Sequence, residues 1–83
     1  MITLPALKWL CERRVQLLGI DAFDFDSGPP YPGHHFLLQQ NVLILEGLVG
    51  LKELSGKEAT LLALPLKIHG TGASPCRVLA LLD

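Results

Sequence analysis

A stretch dense in proline and glycine, from Asp21 to Gly33, divides the first half of this 83-residue chain. Asp24, Asp26, Ser27, Gly28, Pro29, Pro30, Tyr31, Pro32 and Gly33 crowd together there. Proline has no backbone N–H to give and fixes its own φ, so the stretch can be neither a helix nor a central strand. It must be a loop, and loops of this kind often carry function. On its N-terminal side lies the apolar run Val15 to Ile20, and beyond it His34 to Gln40 has the length of about two helical turns. A second apolar run, Val42 to Leu45, follows. Both runs suit buried strands, and each ends on an acid, Asp21 or Glu46.

The remaining elements extend this order. Thr3 can cap a helix that carries Pro5 in its first turn, where the missing N–H costs nothing. Leu4, Leu7, Cys11 and Val15 then share one face, with Trp9 off that stripe, as a boundary residue or as an anchor for a partner. Asn41 can end the second helix, because asparagine tolerates a left-handed backbone. Gly47 to Ser55 reads as a connector with one helical turn near Leu51 to Leu54. Strands are expected at Ala59 to Leu64 and Cys76 to Leu82, with Pro65 allowing a kink or an edge position and a turn cluster running from His69 to Pro75. The result is one domain, residues 1–83, of mixed α/β class, with a sheet short of neighbours.

Composition sharpens that last point. Hydrophobic residues make up 49% of the chain against 18% charged, too apolar for disorder and too much for so small a body to hide. A partner chain or further polypeptide is therefore expected. The formal charge of −1 and the scattered basic residues leave no footprint for nucleic acid. No apolar stretch approaches the roughly 18 residues that span a bilayer, and no signal peptide is evident. Two cysteines, Cys11 and Cys76, cannot build a disulfide framework and match no zinc spacing, so a reducing, cytoplasmic setting is expected.

Among residues that could carry chemistry, His34 and Glu46 stand out. They bracket a helix-to-strand transition, and an imidazole nitrogen with a carboxylate oxygen suits zinc or manganese. Glu46 adds weight, since a carboxylate ending an apolar strand is costly to desolvate unless paired or bound to metal. Two ligands make half a site. Asp21, Asp24 and Asp26 would share a face if extended and could gather a hard cation, but the stronger reading is local, because like charges repel and aspartates commonly serve loops as local acceptors. His35 points about 100° away from His34 on a helix, and His69 reads as a solvated loop residue. Ser27 and Ser74 lack a nucleophile elbow, and Gly70-Thr71-Gly72-Ala73 lacks the end of a phosphate loop. Arg77 could orient a carboxylate or pair at the surface.

Taken in order, these segments resemble the cyclase family, which includes bacterial kynurenine formamidase and isatin hydrolase. The resemblance runs through Trp9-Leu10, Val15-Gln16-Leu17-Leu18-Gly19-Ile20-Asp21, Asp26, His34, Leu37-Leu38 and Val42-Leu43-Ile44-Leu45-Glu46-Gly47-Leu48. It continues through Leu51-Lys52-Glu53-Leu54, Leu64-Pro65-Leu66-Lys67-Ile68, Gly70 and Ser74-Pro75-Cys76-Arg77-Val78. It implies a partial swivelling β/β/α fold, the C-terminal portion of a domain that hydrolyses amide or lactam bonds with a divalent metal, usually as an oligomer.

On that resemblance His34 matches a metal-ligand histidine and Glu46 the ligand twelve positions on. Asp21 and Asp26 match the aspartates of a Gly-x-Asp-x-x-Ser-x-Asp pattern, with Asp24 in the serine place. Gly47, Gly50 and Gly72-Ala73 depart from asparagine, asparagine and Asp-Gly, which bears on substrate choice. The family's His-x-Gly-Thr-His-x-Asp-x-Pro segment, which carries its primary ligands, does not occur in these residues. The chain alone is therefore expected to bind zinc or manganese weakly and to catalyse poorly. It is expected to form a homo-oligomer or to assemble with a cyclase-family chain around a small-molecule amide. The alternative is an inactive truncated paralogue that serves as a structural or oligomerisation module.

Overall fold

Thr3 begins the first helix as expected. Its hydroxyl accepts the Ala6 N–H at 3.4 Å, and α1 runs Leu4–Glu12 with Pro5 in its first turn. It stops at Arg14, a non-glycine residue at φ 61°, where Arg14 and Val15 donate to the carbonyls of Cys11 and Leu10. This is a Schellman stop, which satisfies carbonyls that the helix end would otherwise orphan. The chain then enters β1, Leu17–Gly19. The second helix, α2, Pro32–Gln39, ends in the same way. Asn41 takes φ 60°, as its side chain led us to expect, and Val42 N–H donates to Leu37 O at 2.9 Å. Strand β2, Leu43–Leu45, follows directly.

The computed structural model describes residues 1–82, and the chain divides into two compact units, Met1–Val49 and Gly50–Asp83. In the first unit β1 and β2 pair in parallel, with Leu17 opposite Leu43, Leu18 opposite Ile44 and Gly19 opposite Leu45. Parallel strands need a crossover, and α2 supplies it. Backbone bonds continue past the strands: Ile20 N–H donates to Leu45 O at 2.9 Å and Gly47 N–H to Ala22 O at 2.8 Å. The core gathers Leu7 from α1, Phe25 from the loop, Leu37 from α2 and Val42, all buried, with Ile2, Leu10, Cys11, Val15, Leu18, Ile20, Phe36 and Ile44 packed around them. Of the stripe expected on α1, Leu7, Cys11 and Val15 face this core, while Leu4 stays exposed. Trp9 is also exposed, beneath the Arg13 guanidinium 3.4 Å from its ring centroid.

In the second unit a single 3₁₀ turn at Leu51–Leu54 lies where a helical turn was expected. Strands β3, Ala59–Pro65, and β4, Cys76–Leu82, then pair antiparallel, with Pro65 at the end of the ladder opposite Cys76. Proline sits comfortably there because a terminal position need not donate. None of the described residues of this unit is buried, and Leu61, Leu64, Leu79 and Leu81 are all exposed. Both sheets have only two strands among the described residues. In place of the one sheet expected there are two, each short of neighbours, and the excess of apolar residues shows as exposed surface.

Candidate metal centre

Because β1 and β2 run in the same direction, the segments that leave them emerge at one end. The β1 exit carries Phe23, Asp24, Phe25 and Asp26; the β2 exit carries Glu46. The N-terminus of α2 brings His34. Crevices outside the carboxyl ends of parallel strands are where open α/β sheets place their ligands. Here Asp24, His34 and Glu46 each offer a donor atom, and the three donors lie within 4.8 Å of one another. His34 Nε2 is 3.3 Å from Glu46 Oε1. The surrounding open depression, about 380 Å³, is lined by these three with Phe23, Tyr31 and His35.

The loop owes its shape to Asp26 and Phe25. Helix α2 begins at Pro32, two residues before the expected His34, since proline is well suited to the first helical position. The residue before it, Tyr31, has a left-handed backbone at φ 57° and gives no side-chain cap. Asp26 supplies the cap from a distance. Its Oδ1 accepts the N–H groups of Ser27 at 2.9 Å and Gly33 at 3.0 Å, and its Oδ2 accepts the His34 N–H at 2.8 Å. The same Oδ2 lies 2.8 Å from His34 Nδ1. Asp24 holds the loop in turn, its Oδ1 accepting the Asp26 N–H at 2.9 Å. Phe25, 3% exposed, fills the core and stacks on the His34 ring at 4.6 Å between centroids, while Tyr31 meets that ring edge-on at 5.8 Å.

These contacts set the electrostatics. Burial alone would push the Asp26 carboxyl up, but the donors from His34, Gly33 and Ser27 outweigh it and hold the group well below the usual carboxylate range. Burial pushes the His34 imidazole down, yet its hydrogen bonds to Asp26 and Glu46 and the negative charge of both raise its pKa above the ordinary value. Gly33 makes the cap possible. A Cβ there would stand 3.0 Å from both Asp26 Oδ1 and Phe25 Cε2, and neither is the free end of a flexible side chain. Gly33→Ala should therefore lower stability by about 1–3 kcal/mol, despite the better helix propensity of alanine. Thermal denaturation checks this; an unchanged or raised midpoint would contradict the packing.

Of the residues singled out in the sequence, the structure brings His34 and Glu46 together. His35 is exposed on the rim, Asp21 stands outside the donor group, and His69 lies exposed in a turn of the other unit. Asp24 joins the donor group although the sequence favours a loop-acceptor role for it over cation binding, and nothing in the sequence gives Phe25 a place beside the site. Asp24 is a loop acceptor as the sequence favours, and the signal for its place in the donor group is its serine-to-aspartate departure within the resembled motif. Does the donor set suit a divalent cation? One imidazole and two carboxylates within mutual reach are donors of the kind that hold a divalent cation.

No protein-family profile matches the chain. Among individual proteins, it is 35% identical over 85 residues to an isatin hydrolase of Roseibium aggregatum, covering 95% of this chain and 32% of that one. To a kynurenine formamidase of Bordetella petrii it is 35% identical over 75 residues, covering 88% and 35%. A solved structure described as a potential metal-dependent hydrolase with cyclase activity superposes with a TM-score of 0.71 at 33% identity, over 90% of this chain and 37% of that one. The chain thus spans about a third of the length of these relatives. Over that third, by sequence and by fold, it is similar to the cyclase family, to which these relatives belong.

Proposed function

We propose that this chain is the C-terminal portion of a cyclase-type amide hydrolase and contributes His34 and Glu46, joined by Asp24, to a divalent-metal site for zinc or manganese. The observation that carries the reading is the convergence of these three donors within 4.8 Å at the carboxyl ends of β1 and β2. A cation bound there would lower the pKa of a coordinated water and polarise a formamide or lactam carbonyl. His34 presents Nε2 toward Glu46, and Phe23 and Tyr31 give the depression aromatic walls against which a planar substrate can lie. The names of the relatives, isatin hydrolase and kynurenine formamidase, support a small amide or lactam as substrate.

Completion of the site is assigned to a second copy or to a cyclase-family chain carrying the His-x-Gly-Thr-His-x-Asp-x-Pro segment, in a cytoplasmic setting. The free cysteines agree with that setting, and among the described residues no helix is long and apolar enough to cross a membrane. The exposed leucines of β3 and β4 favour a second reading, an oligomerisation module without turnover. A reconstitution experiment separates the two. Formamide hydrolysis by the 83-residue chain alone should stay near background and rise when a polypeptide with the missing histidine segment and a divalent metal are added. No gain on mixing, with assembly detected by sedimentation, would favour the module.

A further inference from the structure

The Asp26 carboxylate is 3% exposed, yet it spends both oxygens on four donors, and one of those is a ring nitrogen of the residue next to Gly33 in the helix start. An ionised carboxylate only accepts, so at 2.8 Å the His34 Nδ1 must carry the proton. In the neutral ring, the only form that can ligate a cation, the shorter contact to the more buried carboxylate keeps its proton, and the lone pair is left on Nε2, the nitrogen 3.3 Å from Glu46 Oε1 and within the donor group. The stack on Phe25 fixes the plane of the ring. We propose that Asp26 is the positioning residue of the centre: by capping α2 and accepting from Nδ1 with the same oxygen, it couples the start of the helix to the one tautomer of His34 able to ligate a cation. The proposal rests on reading His34 as a ligand.

The coupling has a specific weak point. Both oxygens of Asp26 face two donors, so an asparagine placed there must set its NH₂ against donors in either orientation. With the NH₂ toward Ser27 and Gly33 it would oppose two backbone N–H groups that cannot change. With the NH₂ toward His34 it opposes one backbone N–H and the ring, and the ring can respond. It does so by moving its proton to Nε2, so that Nδ1 accepts from the asparagine. The fold survives at the cost of one cap bond, and the ligating lone pair is turned away from Glu46.

Nitrogen-15 NMR of the imidazoles of the full chain, at alkaline pH where the rings are neutral, reads this directly. The wild type should show His34 protonated at Nδ1, and Asp26→Asn should show it at Nε2 with helical circular dichroism retained. Zinc affinity, measured by calorimetry with zinc alone, should fall by roughly 10–100-fold in Asp26→Asn. A wild-type ring protonated at Nε2 overturns the proposal without any variant, and so does a folded Asp26→Asn that keeps the Nδ1 tautomer or loses less than twofold in affinity. If the wild type shows the Nδ1 tautomer but binds no zinc, the metal reading fails while the hold of Asp26 on the ring stands.

Discussion

Leu37→Ala should leave the chain largely unfolded at room temperature. Leu37 is 1% exposed and lies where α2, Phe25 and Val42 meet. Truncating a buried leucine typically costs about 2–5 kcal/mol, the lost transfer energy plus the cavity left behind. Whole domains have only about 5–15 kcal/mol to lose, and the smallest sit at the bottom of that range. Leu64→Ala, at a site 54% exposed on β3, is the control and should shift stability by no more than about 0.5 kcal/mol. Urea denaturation followed by circular dichroism compares the two. Equal, small losses would mean that the core has been placed wrongly.

His34→Ala should remove divalent-metal binding altogether. Loss of an outer partner of a ligand costs about 10–100-fold in affinity, and loss of the nitrogen itself must exceed the upper end of that range. Glu46→Ala should act likewise, while His35→Ala, on the exposed rim, should leave binding within a factor of about two. The wild-type reference is itself expected to be weak, since one imidazole and two carboxylates fall short of the ligand set that the proposed complete site would offer. Calorimetric titration with zinc and with manganese measures all four proteins. Tight binding that ignores both His34→Ala and Glu46→Ala would sink the assignment.

The parts of the fold that were legible from the residues are those with local causes. Thr3 ahead of Pro5, Asn41 after a helical run and the turn at Leu51–Leu54 each follow from what a side chain does to its own backbone. The approach of His34 and Glu46 was legible as well, because an acid closing an apolar strand is an anomaly wherever it occurs. Asp26 was not. Its role depends on bonds to Gly33 and His34, seven and eight residues on, and no periodicity records such a reach. A clue was nonetheless present: Pro32 opens a helix after Tyr31, a residue that cannot cap, so an acceptor had to come from elsewhere. Phe25 was obscured for a related reason. Flanked by aspartates in a proline-rich loop, it carried the signature of solvent, and only the pairing of β1 with β2 draws it into the core.

The core and the candidate donors of the first unit occupy the same short stretch of chain, Phe25 between Asp24 and Asp26, Leu37 one turn along from His34, Val42 four residues before Glu46. There is no inert scaffold separating one from the other. A lineage altering this centre has therefore few neutral steps: substitutions that retune the ligands also press on the packing, and those that repack it disturb the ligands. Chemistry and durability must drift together in such a segment, and variation in substrate range is expected to accumulate instead at positions such as Phe23 and Gly47, which line or flank the opening without holding up the core.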